Sequence, residues 1–163
     1  MKLIKRLKRQ PSFVKQLSDY EKGWIEAAID GEGSLYFGKT KSKRYKRGFT
    51  WNFCVEIANT RLSFLEKAIE VVGEGKIYEM GTSFRRCGFQ ARKVYRFSLE
   101  KRNSIEALLF QIRLSIKEKQ RLLMLEALSL TKEHKCGFLP NYSRLEEIES
   151  EMRKLNMRGL QGA

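Results

Sequence analysis

Two carboxylates one residue apart, Asp30 and Glu32 around Gly31, close the stretch S-D-Y-E-K-G-W-I-E-A-A-I-D-G-E-G that runs from Ser18 to Gly33. Carboxylate oxygens are the hard donors that Mg²⁺ and similar ions take up. A divalent ion so held can activate water against a phosphodiester. The chain sets 33 Lys and Arg against 19 Asp and Glu, a net charge of +14. In that setting an acid pair suggests a metal-binding acid held against a phosphate. The charge itself points to a polyanionic partner, because repulsion of this size otherwise costs the fold stability. A basic ribosomal or merely soluble protein accounts for the charge as well, but leaves the D-G-E-G turn unexplained.

The acids have to be positioned by an element that starts upstream. Ser18 and Glu21 have the spacing of a capping box, in which each side chain satisfies an orphan backbone N–H at a helix start. The helix then runs through Trp24, Ile25, Ala27, Ala28 and Ile29, and Gly31 and Gly33 offer the positive φ that lets a chain leave a helix. Gly23 and Ala27, four apart, lie on one helix face where a second helix backbone can approach. Ser34, Leu35, Tyr36 and Phe37 alternate immediately afterwards, so the helix delivers its acids to the edge of a sheet.

Strand patterning continues beyond it. Trp51, Phe53, Val55 and Ile57 alternate with Thr50, Asn52, Cys54 and Glu56, one parity for a core and one for a polar face. Between the two strands Lys41, Lys43, Arg44, Lys46 and Arg47 surround Tyr45 in a cationic hairpin tip. A helical pattern through Leu62, Leu65, Ile69 and Val72 ends at Gly73 and Gly75. A third strand starts at Lys76, with Ile77 inward and Lys76, Tyr78 and Met80 outward. After a loop carrying Arg85 and Arg86, a fourth runs from about Arg92 to Leu99, with Tyr95, Phe97 and Leu99 inward and Arg92, Val94 and Arg96 outward. The polar faces of the four strands join as one surface. The rest is helical: Ile105, Leu108, Leu109 and Ile112; then Leu122, Leu123, Leu125, Ala127 and Leu128; then Tyr142, Leu145, Ile148, Met152 and Leu155.

Several function classes fall away. Cys54, Cys87 and Cys136 make an odd number without a C-x-x-C, which fits an intracellular, reducing compartment and no disulfide framework. With His134 as the single histidine, a structural zinc site or a histidine-based hydrolase is a poor fit. The apolar runs are too short to cross a bilayer and no secretory segment stands out, so no membrane partner is expected. The 163 residues suit one domain over 18–163, preceded by a basic arm over 1–17. Three readings of that arm stand side by side: a phosphate-contacting arm, a transit-like helix and a solvated terminus.

The string W-I-E-A-A-I-D-G-E-G, at Trp24–Gly33, resembles the signature of the LAGLIDADG homing endonucleases, with Glu32 at the catalytic acid position. Glu26 and Ala27 depart from it, standing where the family usually has Ala and Gly. The resemblance extends from about Ser18 to about Leu130 and implies an α+β domain of order αββαββα, an antiparallel saddle-shaped sheet covered on one face by helices. The signature occurs once in the chain, which implies a homodimer joined through Gly23, Ala27 and Asp30.

What the resemblance implies for function is a site-specific double-strand DNA endonuclease that binds a long pseudo-palindromic site and uses Mg²⁺, or another divalent cation such as Mn²⁺, with no small-molecule cofactor. Glu32 is then the first metal ligand, with Gly31 and Asp30 beside it. Asp30 has a second reading, as a backbone hydrogen-bond acceptor at the motif interface. Asn59 matches a polar residue that places the attacking water, and Lys117 in K-E-K-Q matches a lysine near the scissile phosphate, with Lys119 a competitor. Bland readings stand beside these: Asn59 as a helix cap and Lys117 as a solvated first-turn residue. Duplex DNA is expected against Tyr36, Thr40, Ser42, Thr50, Asn52, Glu56, Lys76, Tyr78, Arg92 and Arg96 for base edges. Arg44, Arg47, Arg85 and Arg86 are expected on the backbone. An intron maturase, or a non-cleaving nucleic-acid binder of the same fold, is the alternative function.

Overall fold

The computed structural model describes residues 2–6, 14–44, 48–82, 93–132 and 142–158, the first segment for its backbone alone. Among them the order is β1 (Lys2–Arg6), α1 (Asp19–Glu32), β2 (Gly33–Lys41), β3 (Phe49–Asn59), α2 (Leu62–Val72), β4 (Lys76–Thr82), β5 (Lys93–Leu99), α3 (Arg102–Gln111), α4 (Glu118–Lys132) and α5 (Tyr142–Arg158). The αββαββα order stands, with a strand added before it and two further helices after it. Nothing in the sequence reading placed a strand at the N-terminus. Lys2–Arg6 pairs antiparallel with β4 at the sheet edge, where it borrows a neighbour's ladder and needs no strong pattern of its own.

All five strands form one antiparallel sheet in the order β1-β4-β5-β3-β2. The registers keep parity: Leu35 opposes Val55, Val55 opposes Leu99, and Ile77 opposes Phe97. The odd-numbered residues therefore share one face, and Leu35, Phe37, Trp51, Phe53, Val55, Ile57, Ile77, Phe97 and Leu99 are all buried there. Ile25 and Ile29 of α1, Leu65 and Ile69 of α2, Leu108 and Leu109 of α3, Met124 and Leu128 of α4, and Ile148 and Met152 of α5 complete the same core. Each such side chain contributes about 1.5–3 kcal/mol on burial. The even-numbered strand residues are left on the opposite, polar face.

At α1 the capping box forms as the spacing requires. Ser18 Oγ accepts from the Glu21 amide and Glu21 accepts from the Ser18 amide. The exit from this helix differs from expectation. Gly33 is extended, at φ −92° and ψ 167°, so positive φ is not what it supplies. Its function is close approach: a Cβ there would lie 2.7 Å from the Ile29 Cα and carbonyl oxygen. The chain thus turns from helix into strand without a linker. Gly73, by contrast, ends α2 in the left-handed region at φ 79°, as its position predicts.

A second difference concerns α4. Leu122, expected in the core, is 53% exposed, and Met124 is buried in its place. Four consecutive apolar residues, Leu122–Leu125, present a hydrophobic side chain in every direction and leave the phase of the helix ambiguous. At the other end of the sheet, Phe37 stacks on Trp51 at 4.9 Å, and Phe49 and Tyr142 close the ring of aromatics. Lys39 Nζ lies over three of these rings and pairs with Glu146, which seats α5 on the β2–β3 hairpin.

Candidate functional site

Glu32 is the last residue of α1 and is exposed. No described residue donates a hydrogen bond or forms an ion pair with its carboxylate. Asp30, two residues earlier, is differently placed. Its Oδ2 accepts from the amides of Ser115 at 2.7 Å and Ile116 at 3.2 Å, and its Oδ1 from the amide of Lys117 at 3.0 Å. Asp30 thus serves three backbone amides of its own chain, in the α3–α4 connection rather than at the helix stripe of Gly23 and Ala27.

Lys117 answers in the other direction. Its ammonium donates to the Ile29 carbonyl at 2.8 Å, which also accepts from the Gly33 amide, and to the Asp30 carbonyl, at the C-terminal, negative end of the α1 dipole. Burial pushes this lysine below its ordinary value of 10.5, while the Asp30 and Glu32 carboxylates pull against that shift. Glu32 and Lys117 therefore sit within electrostatic reach of each other. Lys119 points elsewhere, pairing with Glu151 of α5.

Asn59 ends β3, two residues past Ile57, the partner of Gly33, and so lies beside the end of α1. Its Oδ1 accepts from the Arg61 amide at 2.8 Å, ahead of α2, whose N-cap is Arg61 rather than Asn59. The side-chain amide N–H₂ is not used in that turn.

On the outer side of α1, Gly23 and Ala27 are exposed, and a Cβ built on Gly23 meets nothing within 4 Å. Tyr20, 71% exposed, continues the same stripe. The carboxylate of Asp30 turns away from it, toward 115–117.

The polar sheet face brings most of the remaining candidates together. Tyr36, Thr40 and Asn52 are exposed, Asn52 donating to Thr40 Oγ1; Ser42, Thr50 and Tyr78 are half-buried and Arg44 is exposed near the hairpin tip. Glu56 and Arg96 form an ion pair at 3.0 Å, and Lys76 pairs with Glu100 at 3.1 Å. Ser98 links the two pairs, lying 3.2 Å from Cys54 Sγ and donating to Glu100 Oε1. Burial pushes the Cys54 thiol up to about 12. Arg47, Arg85, Arg86 and Arg92 lie outside the described residues, as do Cys87, Cys136 and His134.

Three acids, two beside the α3–α4 connection and one at the end of β5, escaped the sequence reading. Glu26 accepts from the Arg113 amide at 2.8 Å, and Glu118 accepts from the Leu114 amide at 2.9 Å. Glu100 orders Lys76. The four-residue spacing of Glu26 and Asp30 was the available signal for the first, and the even parity of 98 and 100 for the last. Among the described residues, no three of Asp, Glu, His and Cys gather as a metal-holding group.

No protein-family sequence model matches the chain, and no curated protein sequence does. Solved structures do. An archaeal intron-encoded homing endonuclease, I-Vdi141I, complexed with DNA, matches at a TM-score of 0.68 and 20% identity, over 84% of this chain and 84% of that one. The homing endonuclease I-CvuI, in complex with its target in the presence of Ca, matches at 0.63 and 16%, over 85% of each chain. A third, the homing endonuclease I-TnaI, matches at 0.66 and 16%, over 86% of this chain and 95% of that one. At these identities the likeness is one of architecture, and the element order and sheet agree with it. The chain has the fold of the LAGLIDADG homing endonucleases.

Proposed function

We propose that the chain is a site-specific double-strand DNA endonuclease that acts as a homodimer on a long, roughly two-fold symmetric site with a divalent metal ion. The observation that carries this reading is Glu32: an exposed carboxylate, unengaged by any described residue, at the helix end beside Lys117 and at the edge of a polar sheet face. A non-enzymatic binder has no need of a free acid at that point in a chain of charge +14.

The donor set fits a divalent ion in part. Glu32 and the Gly31 carbonyl are hard oxygen donors at one helix end, whereas the Asp30 oxygens already serve three amides. We therefore assign the metal to Glu32 and Gly31, and to Asp30 the holding of the 115–117 backbone. One chain supplies too few ligands, so a second copy packed on the Gly23–Ala27 face brings its own acid to the same place, with two-fold symmetry. A divalent ion bound there supplies charge stabilisation and an activated water.

The chain's own groups do the rest. Lys117, held at the end of α1, places an ammonium against a phosphate oxygen. Asn59 offers its amide N–H₂ to orient a water beside Glu32. The Glu56–Arg96 and Lys76–Glu100 pairs, with Tyr36, Thr40, Ser42, Thr50, Asn52 and Tyr78, face the major groove, which displays a distinct pattern for each base pair. Arg44 holds the DNA backbone.

The test is cleavage of a randomised duplex library by the purified protein, with Mg²⁺ and with chelator, the ends read by sequencing. One long symmetric site, cut only with Mg²⁺ and left bound but uncut by Glu32→Gln, is the expected result. Tight binding without cuts would instead favour the maturase or regulator reading.

A further inference from the structure

We infer that Glu26 is a positioning residue for Lys117: together with Asp30 it fixes the connection between α3 and α4 so that the lysine ammonium lies at the end of α1. The catalytic meaning of that placement rests on the endonuclease reading above, but the placement itself is independent of it. The resemblance expects an alanine at this position, so the family pattern supplies no role for a carboxylate here.

Five consecutive amides carry the argument. Arg113 donates to Glu26, Leu114 to Glu118, and Ser115, Ile116 and Lys117 to Asp30. Backbone N–H groups in a short connection need partners, and here every one in the run is taken by a carboxylate. Asp30 alone, gathering three adjacent amides at one point, acts as a pivot about which the connection can still turn. Glu26 lies one helical turn away on the same face of α1, about 6 Å along the axis. It takes hold of the backbone at Arg113, four residues before Lys117, and two separated points define an orientation that one point does not.

Lys117 closes the arrangement by donating back to the Ile29 and Asp30 carbonyls, so the connection and the helix end hold each other reciprocally. Glu118 anchors the far side through Leu114 and, by way of Arg121, the Leu109 carbonyl of α3. Glu26 is the member of this set that touches neither Lys117 nor the end of α1. Its effect on the lysine runs only through the backbone of 113–117.

The experiment compares Glu26→Ala with Glu26→Gln, whose amide oxygen still accepts from the Arg113 N–H. In the DNA-free protein, hydrogen exchange at the amides of 113–117 should speed up in Glu26→Ala and stay close to wild type in Glu26→Gln. Unchanged exchange in Glu26→Ala overturns the inference. On the target found by the library, Glu26→Ala should lower the single-turnover cleavage rate by about tenfold or more, as a displaced catalytic group does. DNA affinity should change by no more than about twofold, because the loss is confined to the reacting state. Recovery of most of the rate in Glu26→Gln is expected; equal losses in both variants, or a loss of affinity at unchanged rate, overturn it. A wild-type protein that cuts no duplex would sink the endonuclease reading, while exchange would still decide whether Glu26 holds the connection.

Discussion

Glu118 shows the cost and the return of building a connection from carboxylates. Hydrogen bonds from the Arg121 guanidinium, and behind them the Leu114 amide, hold its carboxyl down to about 2 from an ordinary 4.5. A folded value below the unfolded one means stability that is fully present above about pH 4.5 and lost as the pH falls from there through 2. The urea midpoint should therefore drop across that window, and Glu118→Gln should flatten part of the drop; an unchanged acid limb in the variant would place the sensitivity elsewhere. Glu21, also lowered to about 2, by Lys15 first and then Ser18, acts in the same window. Single residues of this kind were only partly legible in the sequence. Glu32 stood out through the D-G-E-G turn, whereas Lys117 was singled out only by the resemblance, with Lys119 as a competitor. Glu26 did not stand out, because a carboxylate that serves a backbone amide 87 residues away leaves no local pattern.

Helices and strands were legible where one period or one cap dominated. The capping box at Ser18, the left-handed Gly73 and the alternation of β3 all follow from local rules that tertiary packing had no reason to override. Phase failed in α4, where a run of leucines fits more than one face, and β1 was invisible because pairing with β4 defines it. The helix-to-strand junction at Gly33 was placed correctly but for the wrong physical reason. Since backbone atoms of Ile29 occupy the space a Cβ would need, Gly33→Ala should destabilise the protein by about 1–3 kcal/mol, the usual range for overpacking. Chemical denaturation measures this directly. A neutral substitution would mean that α1 shifts freely against β2, and with it the placement of Glu32.

At the scale of the whole molecule, the polar sheet face and the exposed stripe of α1 are the two surfaces to which the proposed function assigns partners, DNA and a second copy. If α1 joins two copies, Ala27→Glu should yield a monomer by sedimentation, since it puts a charge into a close helix contact; persistence of a dimer would move the interface away from α1. DNA binding should weaken with salt, by about 0.9 log units per log unit of salt for each phosphate neutralised. A salt-insensitive complex would contradict the role given to the basic face. The sequence could show the charge and the parity of that face but not its pre-paired cations, which depend on cross-strand registers that bring Glu56 to Arg96 and Lys76 to Ser98 and Glu100. The aromatic ring around Lys39 has one more consequence. Of the chain's 2 tryptophans, Trp51 lies inside that ring and Trp24 of α1 lies against Phe64 of α2. The molecule thus carries two native fluorophores in separate neighbourhoods, one sensitive to the seating of α5 on the hairpin and the other to the junction of α1 and α2, so that removing either leaves a single-site optical reporter on the other.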